Sequence, residues 1–596
     1  QSLGNGVWRP DGKGFAVLLE RDADEHEQIY FFDSNANALT RLTTHPTKVE
    51  SLHWSPDSKR IYFVAPAERD AQTKRLLEAD WVIPAYDDYR HREVWQLDVG
   101  SGATRQLVAG DFSVRRLSLS RDGTQLVYAR APDHALNRGH EADVWTTSVT
   151  TGEHVRWTRN DYAEYDLALA PDNRTLAFVA TVNASGAPYY EDKVFVQRAA
   201  GGAVERLLPD STMEIMRFAW DRTGAGLYLL GNTGLRTHLY HYELTSGQLR
   251  EITRGDLTLK DWQFDAVANR HVAIRVDATT PGDVVLIDPD SGTFEPLTDV
   301  YAPLLADIAL PQQQAVRWRS RGGATIEGLL VYPIDYDAGK RYPLAVVTHG
   351  GPRSSSQFGS WNRTRYVAVL AGQGYAVLLP NHRGGTGYGD AFMRDMIKGY
   401  FNNAHHDVMA GVDAMIKRGI ADPDQLIAMG WSAGGHMVNK LITFTDRFAA
   451  ASSGAGAADW LSMYAESDVR FNRQWVFGGE PWQRRAPVAR FRRDSSIQEA
   501  WRVTTPTLFF SGENDVRVPP TQSIMMYRGV RAAGAPTALY VADGQPHNYR
   551  KPSFQLFKIN RELAWYAQHV RQVPYDAVLP AAANPPQTDP ATKESP

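Results

Sequence analysis

A short phrase built around an aspartate recurs through the first half of the chain, and a repeated unit must bury each copy against its neighbours. Its copies are Trp8-Arg-Pro-Asp-Gly12, Trp54-Ser-Pro-Asp-Ser58, Ser120-Arg-Asp-Gly123, Ala170-Pro-Asp-Asn173, Trp220-Asp-Arg-Thr-Gly224 and Trp262-Gln-Phe-Asp265, roughly 40 to 65 residues apart. Asp, Asn and Gly supply the backbone angles of tight turns, so each copy reads as a turn. A β-rich run follows each one, at 14–19, 60–64, 125–128, 175–179, 226–230 and 271–275. A strand–turn–strand phrase comes next, at 28–42, 93–107, 143–157, 193–207, 238–252 and 282–297. Four strands per unit of this length predict propeller blades, about seven in all with six recognisable. A generic β-sandwich would not return to the same aspartate turn six times. The connection from Pro66 to Tyr89 breaks the period with a helix-like insert, Lys74-Arg-Leu-Leu-Glu-Ala-Asp80, on a loop face where propellers often bind.

At 596 residues the chain is too long for one hydrophobic core. From about Val316 the period changes to strands alternating with helices, which predicts a parallel sheet covered on both faces. Apolar runs at 343–348, 375–380, 426–430 and 507–511 read as buried strands, with helices over 407–418 and 435–443. The expected organisation is a β-propeller over 1–310, an α/β-hydrolase domain over 311–575 and a flexible tail over 576–596.

The third of these strands runs into Gly430-Trp-Ser432-Ala-Gly434-Gly435 and then a helix. Glycines around a serine at a strand-to-helix turn allow the sharp bend that lifts a hydroxyl clear of the sheet. Such a serine needs a base, and the base needs an orienting acid, in the chain order Ser, Asp, His. Asp515 follows the strand at 507–511, and His547 follows a strand at 538–541. Glu513 and Asp543 are the rival acids. His405 and His406 begin an upstream helix and His436 sits on the elbow helix, so they are weaker candidates as base; His405-His406-Asp407 faces different ways and reads as surface or packing rather than as a metal site. A developing oxyanion needs amide donors. Ala433 supplies one, and Gly351 in Thr348-His349-Gly350-Gly351-Pro352 the other, with Gly350 or the His349 ring as alternatives.

With His349-Gly-Gly-Pro352, Asn381-His-Arg-Gly-Gly-Thr-Gly-Tyr-Gly389, Gly430-Trp-Ser-Ala-Gly-Gly435, Gly512-Glu-Asn-Asp-Val-Arg-Val-Pro519 and His547 before a final helix, the chain resembles the prolyl oligopeptidase family over nearly its full length. It looks most like the acylaminoacyl-peptidase and dipeptidyl-peptidase branches, in which a propeller caps the hydrolase and filters substrates by size. The resemblance implies cleavage of short peptides without a metal or organic cofactor. It votes both ways on the branch. His349 stands where dipeptidyl peptidases often carry a tyrosine, Trp431 resembles the dipeptidyl branch, and Ala433 replaces an aromatic residue common among relatives. Trp460, Met463, Tyr464 and Phe477 resemble the family's apolar subsite wall, while Glu78 or Asp80 on the propeller insert could meet a substrate amine.

A net charge of −4, from 64 basic and 68 acidic residues, removes the global positive field that nucleic-acid binding requires. No apolar run approaches the roughly 20 residues of a membrane span. The absence of cysteine excludes a thiol nucleophile, thiolate metal sites and disulfides. Gln1 in place of an initiator methionine, without a basic-then-apolar leader, favours a processed protein of the periplasm or exterior over a cytoplasmic one. The expected function is that of a serine peptidase acting on oligopeptides, an exopeptidase releasing dipeptides or N-acylated amino acids. A carboxylesterase of the same fold is one alternative, and a propeller binding protein with an inactive hydrolase is another. Homo-oligomerisation is left open.

Overall fold

The computed structural model describes residues 6–21, 24–79, 90–359 and 366–578. Asp80 and the rest of the insert to Tyr89 lie outside the described residues, as does the expected tail from residue 579. Six four-stranded antiparallel units occupy 6–41, 51–108, 113–156, 164–206, 214–251 and 257–296, one for each copy of the phrase. The last two are joined by a single parallel pair, Thr237 with Thr258. The expected seventh blade has no counterpart among the described residues.

The aspartate of the phrase has the same local task in all six copies. The carboxylates of Asp11, Asp57, Asp122, Asp172, Asp221 and Asp265 each accept a hydrogen bond, 2.8–3.1 Å long, from the backbone N–H two residues on. The tryptophan that opens some copies ties one blade to the one before it. The Trp54 indole donates to the Val7 carbonyl at 3.0 Å, and the Trp220 indole to that of Ala168 at 3.1 Å. Apolar side chains fill the spaces between successive blades, for example Ile29, Phe31, Trp54 and Phe63 between the first two.

Glu164 opens the inner strand Glu164–Leu169 and is 2% exposed. Burial pushes its carboxyl up to about 8, helped by nearby Asp143 and opposed by the Asn160 amide, which donates at 2.6 Å. Between its ordinary value of 4.5 and about 8 the unfolded chain releases this proton while the folded chain keeps it. Stability from this group is therefore complete below pH 4.5 and declines as pH rises towards 8. Replacing Glu164 by Gln should raise the melting temperature relative to the parent, with a gap that widens from pH 5 to pH 8. A pH-independent gap in thermal melts would contradict the reading.

After the propeller comes an eight-stranded sheet: β1 (Gln313–Arg319), β2 (Thr325–Val331), β3 (Tyr342–Thr348), β4 (Ala376–Asn381), β5 (Ala421–Trp431), β6 (Ala450–Gly454), β7 (Thr507–Gly512) and β8 (Thr537–Ala542). Its spatial order is β1-β2-β4-β3-β5-β6-β7-β8, antiparallel at the β1–β2 and β2–β4 edges and parallel elsewhere. Successive side chains of β3 divide between two cores. Leu344 and Val346 join one, Ala345 and Val347 the other, and all four are fully buried. This two-sided burial is why the strand reads as a continuous apolar run. The predicted helices are present as Ala404–Lys417 and Ala433–Phe444.

Polar groups join propeller and hydrolase. From the propeller strand Pro188–Gln197, Glu191 Oε1 accepts the N–H groups of Gly387, Tyr388 and Gly389 at 2.8–3.2 Å. Asp192 pairs with Arg353, and Arg206 with Asp390. No helix among the described residues is long and apolar enough to cross a membrane.

Candidate active site

β5 ends at Trp431, and the next helix begins at Ala433, so Ser432 occupies the bend between them. Its φ of +63° is rare for a residue with a side chain, a strain of roughly 1–3 kcal/mol that the packing around it must hold. The glycines permit that packing: a Cβ on Gly430 would fall 2.5 Å from the Gly434 carbonyl, and one on Gly434 would fall 2.3 Å from the Thr348 oxygen. Serine and histidine meet from separate loops. His547 Nε2 lies 2.9 Å from Ser432 Oγ, and His547 Nδ1 lies 2.7 Å from Asp515 Oδ2.

Asp515 is 2% exposed, and its other oxygen accepts the N–H groups of Arg517 and Val518 at 2.9 Å each. These bonds hold the carboxylate with one oxygen left for the imidazole. The Trp431 indole donates to the His547 carbonyl at 2.9 Å, which couples the elbow to the histidine loop. The rival acids are engaged elsewhere: Glu513 accepts the Gly544 N–H at 2.8 Å, and Asp543 is exposed.

Gly350, Gly351 and Ala433 border the same cavity as Ser432 and His547, about 360 Å³ in volume. The His349 ring is turned away from it. That ring is fully buried, stacks on His382 with centroids 4.5 Å apart, and its Nδ1 lies 2.9 Å from the Gly350 carbonyl. The glycine loop is also braced from the propeller, since Arg353 reaches the Tyr190 carbonyl at 3.2 Å and pairs with Asp192.

The suggested subsite residues divide. Trp460 and Met463 border the cavity. Phe477 and Tyr464 stand in a layer behind it, Phe477 stacked on Phe491 at 4.1 Å and Tyr464 packed edge-on to Phe491 and Trp482. Aromatic spacing alone did not separate the wall from its backing. Glu78 is exposed at the end of the helix Ala71–Glu78 and does not border the cavity. His436 does border it, with Nδ1 2.9 Å from the Ala457 carbonyl, and burial pushes its pKa down to about 3. It is therefore neutral at ordinary pH. Asp407 is committed to Arg383 at 2.6 Å, away from any His405–His406 pairing.

Several lining residues escaped sequence reasoning: Tyr400, Arg473, Arg517, Val518, Asn548 and Lys558. They come from different segments, and only Arg517 and Val518 lie in a motif. The propeller also touches the segment that leads into the helix carrying Arg473. Asn137 donates to the Asp468 carbonyl at 3.0 Å and accepts the Arg470 N–H at 2.6 Å, while His140 stacks on Phe471.

An elbow serine bordering an open cavity and hydrogen-bonded to a carboxylate-anchored histidine on an α/β sheet defines a hydrolase of the serine triad class. Residues 361–573 match the model of the prolyl oligopeptidase family. The match spans most of the hydrolase domain, and the protein is a serine peptidase. Dipeptidyl-peptidase 5 of Porphyromonas gingivalis is 24% identical over 593 residues, covering 94% of this chain and 85% of its own. Dipeptidyl aminopeptidase BIII of Pseudoxanthomonas mexicana is 29% identical over 591 residues, covering 91% and 77%. The solved structure of the uncomplexed Pyrococcus horikoshii acylaminoacyl peptidase superposes with a TM-score of 0.77 at 20% identity, over 97% of this chain and 90% of that one. This likeness extends the shared fold through the propeller.

Proposed function

We propose that the protein hydrolyses short peptides through an acyl-enzyme, as an exopeptidase releasing dipeptides or N-acylated amino acids from the amino terminus. Ser432 attacks the carbonyl, His547 takes its proton and passes it to the leaving amine, and Asp515 fixes the imidazole. The amides of Ala433 and Gly351 receive the oxyanion. The propeller, over 1–310, limits what reaches the hydrolase, over 311–575. The observation that carries this reading is the unbroken relay from Asp515 through His547 to Ser432, at 2.7 and 2.9 Å, beside an open cavity.

The relay alone does not choose amide over ester, so the test is a rate comparison. Dipeptidyl arylamides, N-acetyl-aminoacyl arylamides, internally quenched longer peptides and matched esters are assayed side by side. Hydrolysis of one of the two short amide classes, with rates falling steeply as peptide length grows, is the expected result. Turnover of the esters without the amides would point to the esterase alternative.

A further inference from the structure

The cavity beside Ser432 carries an unbalanced charge. Among the described residues its lining includes Arg473, Arg517 and Lys558 but no aspartate or glutamate. Two of the cations are neutralised from behind. Arg517 binds Asp468 through two bonds, at 2.7 and 3.0 Å, and Lys558 lies 2.7 Å from both carboxylate oxygens of Glu562.

Arg473 differs. It lies on the helix Phe471–Phe477, and its one hydrogen bond among the described residues is a long one, 3.3 Å from Nη1 to the Met463 carbonyl. Its guanidinium carbon is 5.7 Å from the centre of the Trp460 ring, and no carboxylate among the described residues pairs with it. Asp468 attracts it at longer range but is already held by Arg517. Burial pulls the Arg473 pKa down to about 10, still far above neutrality, so the group remains a cation in a poorly solvated wall. An unpaired, largely desolvated guanidinium is costly, and a carboxylate entering the cavity would meet its unused donors in the planar geometry that arginine favours.

We propose that this cavity is a carboxylate-binding subsite, with Arg473 as its specificity-determining residue, so that the substrates are acidic peptides. The inference rests on the peptidase reading above. The carboxylate has two chemical sources: the side chain of a Glu or Asp preceding the cleaved bond, or the free carboxyl end of a very short peptide.

Two pairs of substrates separate these sources. The first compares dipeptidyl arylamides ending in Glu and in Gln, which differ in charge at nearly constant shape. The second compares a free-acid tripeptide having no acidic side chain with its carboxyamide. In the parent protein one pair should show a preference for the charged member in kcat/KM on the order of 10- to 100-fold. Arg473→Met should reduce that ratio to within about threefold, and Arg473→Lys should retain part of it, with circular dichroism melts showing both variants folded. Equal rates within both pairs in the parent would overturn the proposal without any variant, and so would a preference that survives in folded Arg473→Met. Either result could occur while the Gln arylamide is still cleaved, which would leave the peptidase reading intact; failure to cleave any amide would instead remove that reading.

Discussion

Replacing Ser432 by Ala should lower kcat for peptide hydrolysis by about 10⁵- to 10⁶-fold and abolish covalent labelling by a fluorophosphonate. The loss is this large because the hydroxyl is the atom that forms the new bond; the amides at Ala433 and Gly351 would be left to stabilise attack by water alone. His547→Ala should cost nearly as much, and the double variant little more than either single one, because the two groups act as one unit. Asp515→Asn is expected to cost about 10⁴-fold. An amide there can present N–H to the imidazole Nδ1 and favour the wrong tautomer, although the 2.9 Å bonds from Arg517 and Val518 hold the side chain in place. Titration with an active-site fluorophosphonate, read by intact mass, checks all four variants. Labelling of Ser432→Ala at the parent rate would remove Ser432 from the mechanism.

What was legible in the sequence follows from how locally each contact is made. The aspartate turns could be read because each carboxylate bonds an amide two residues away, so the whole interaction fits within the phrase. The triad could be read because each member sits immediately after a β-rich run, and the sheet brings the ends of β5, β7 and β8 to one edge. The cavity wall could not. Arg473 acquires its meaning from Trp460, Met463 and Asp468, and from the absence of a facing acid among the described residues, none of which is a property of its neighbours in sequence. Asn137 is further removed, lying 331 positions before the carbonyl that it binds. The choice between Tyr464 or Phe477 and Trp460 or Met463 as wall residues failed to emerge for a related reason. All four are buried, and only the packing of Phe491 behind two of them decides which pair faces the substrate.

The second large effect concerns the joint between the halves of the protein. Glu191 is fully buried, 3.0 Å from the Lys193 ammonium, which is itself 1% exposed, and it receives three backbone N–H groups from the hydrolase loop Gly387-Tyr388-Gly389. Glu191→Ala would strand the lysine and those amides together, and removing one partner of such a buried pair costs about 3–5 kcal/mol. The thermal transition should fall by several degrees, and the loops at 387–389 should exchange their amide hydrogens faster. Lys193 would retain the Ser211 carbonyl at 3.1 Å, which does not neutralise it. Adding Lys193→Met to Glu191→Ala should therefore recover part of the loss, because an uncompensated charge is removed with it. Its recovery separates the ion-pair contribution from the amide contribution, since only the latter persists in the double variant. The active site should register the change as well. Asp192, the next residue of the same strand, braces Arg353 beside the glycine loop, so a loosened strand would move the Gly351 amide relative to Ser432. A fall in kcat with little change in KM, measured well below the melting temperature, is the expected kinetic signature; a variant that melts and turns over like the parent would show that the joint does not depend on Glu191.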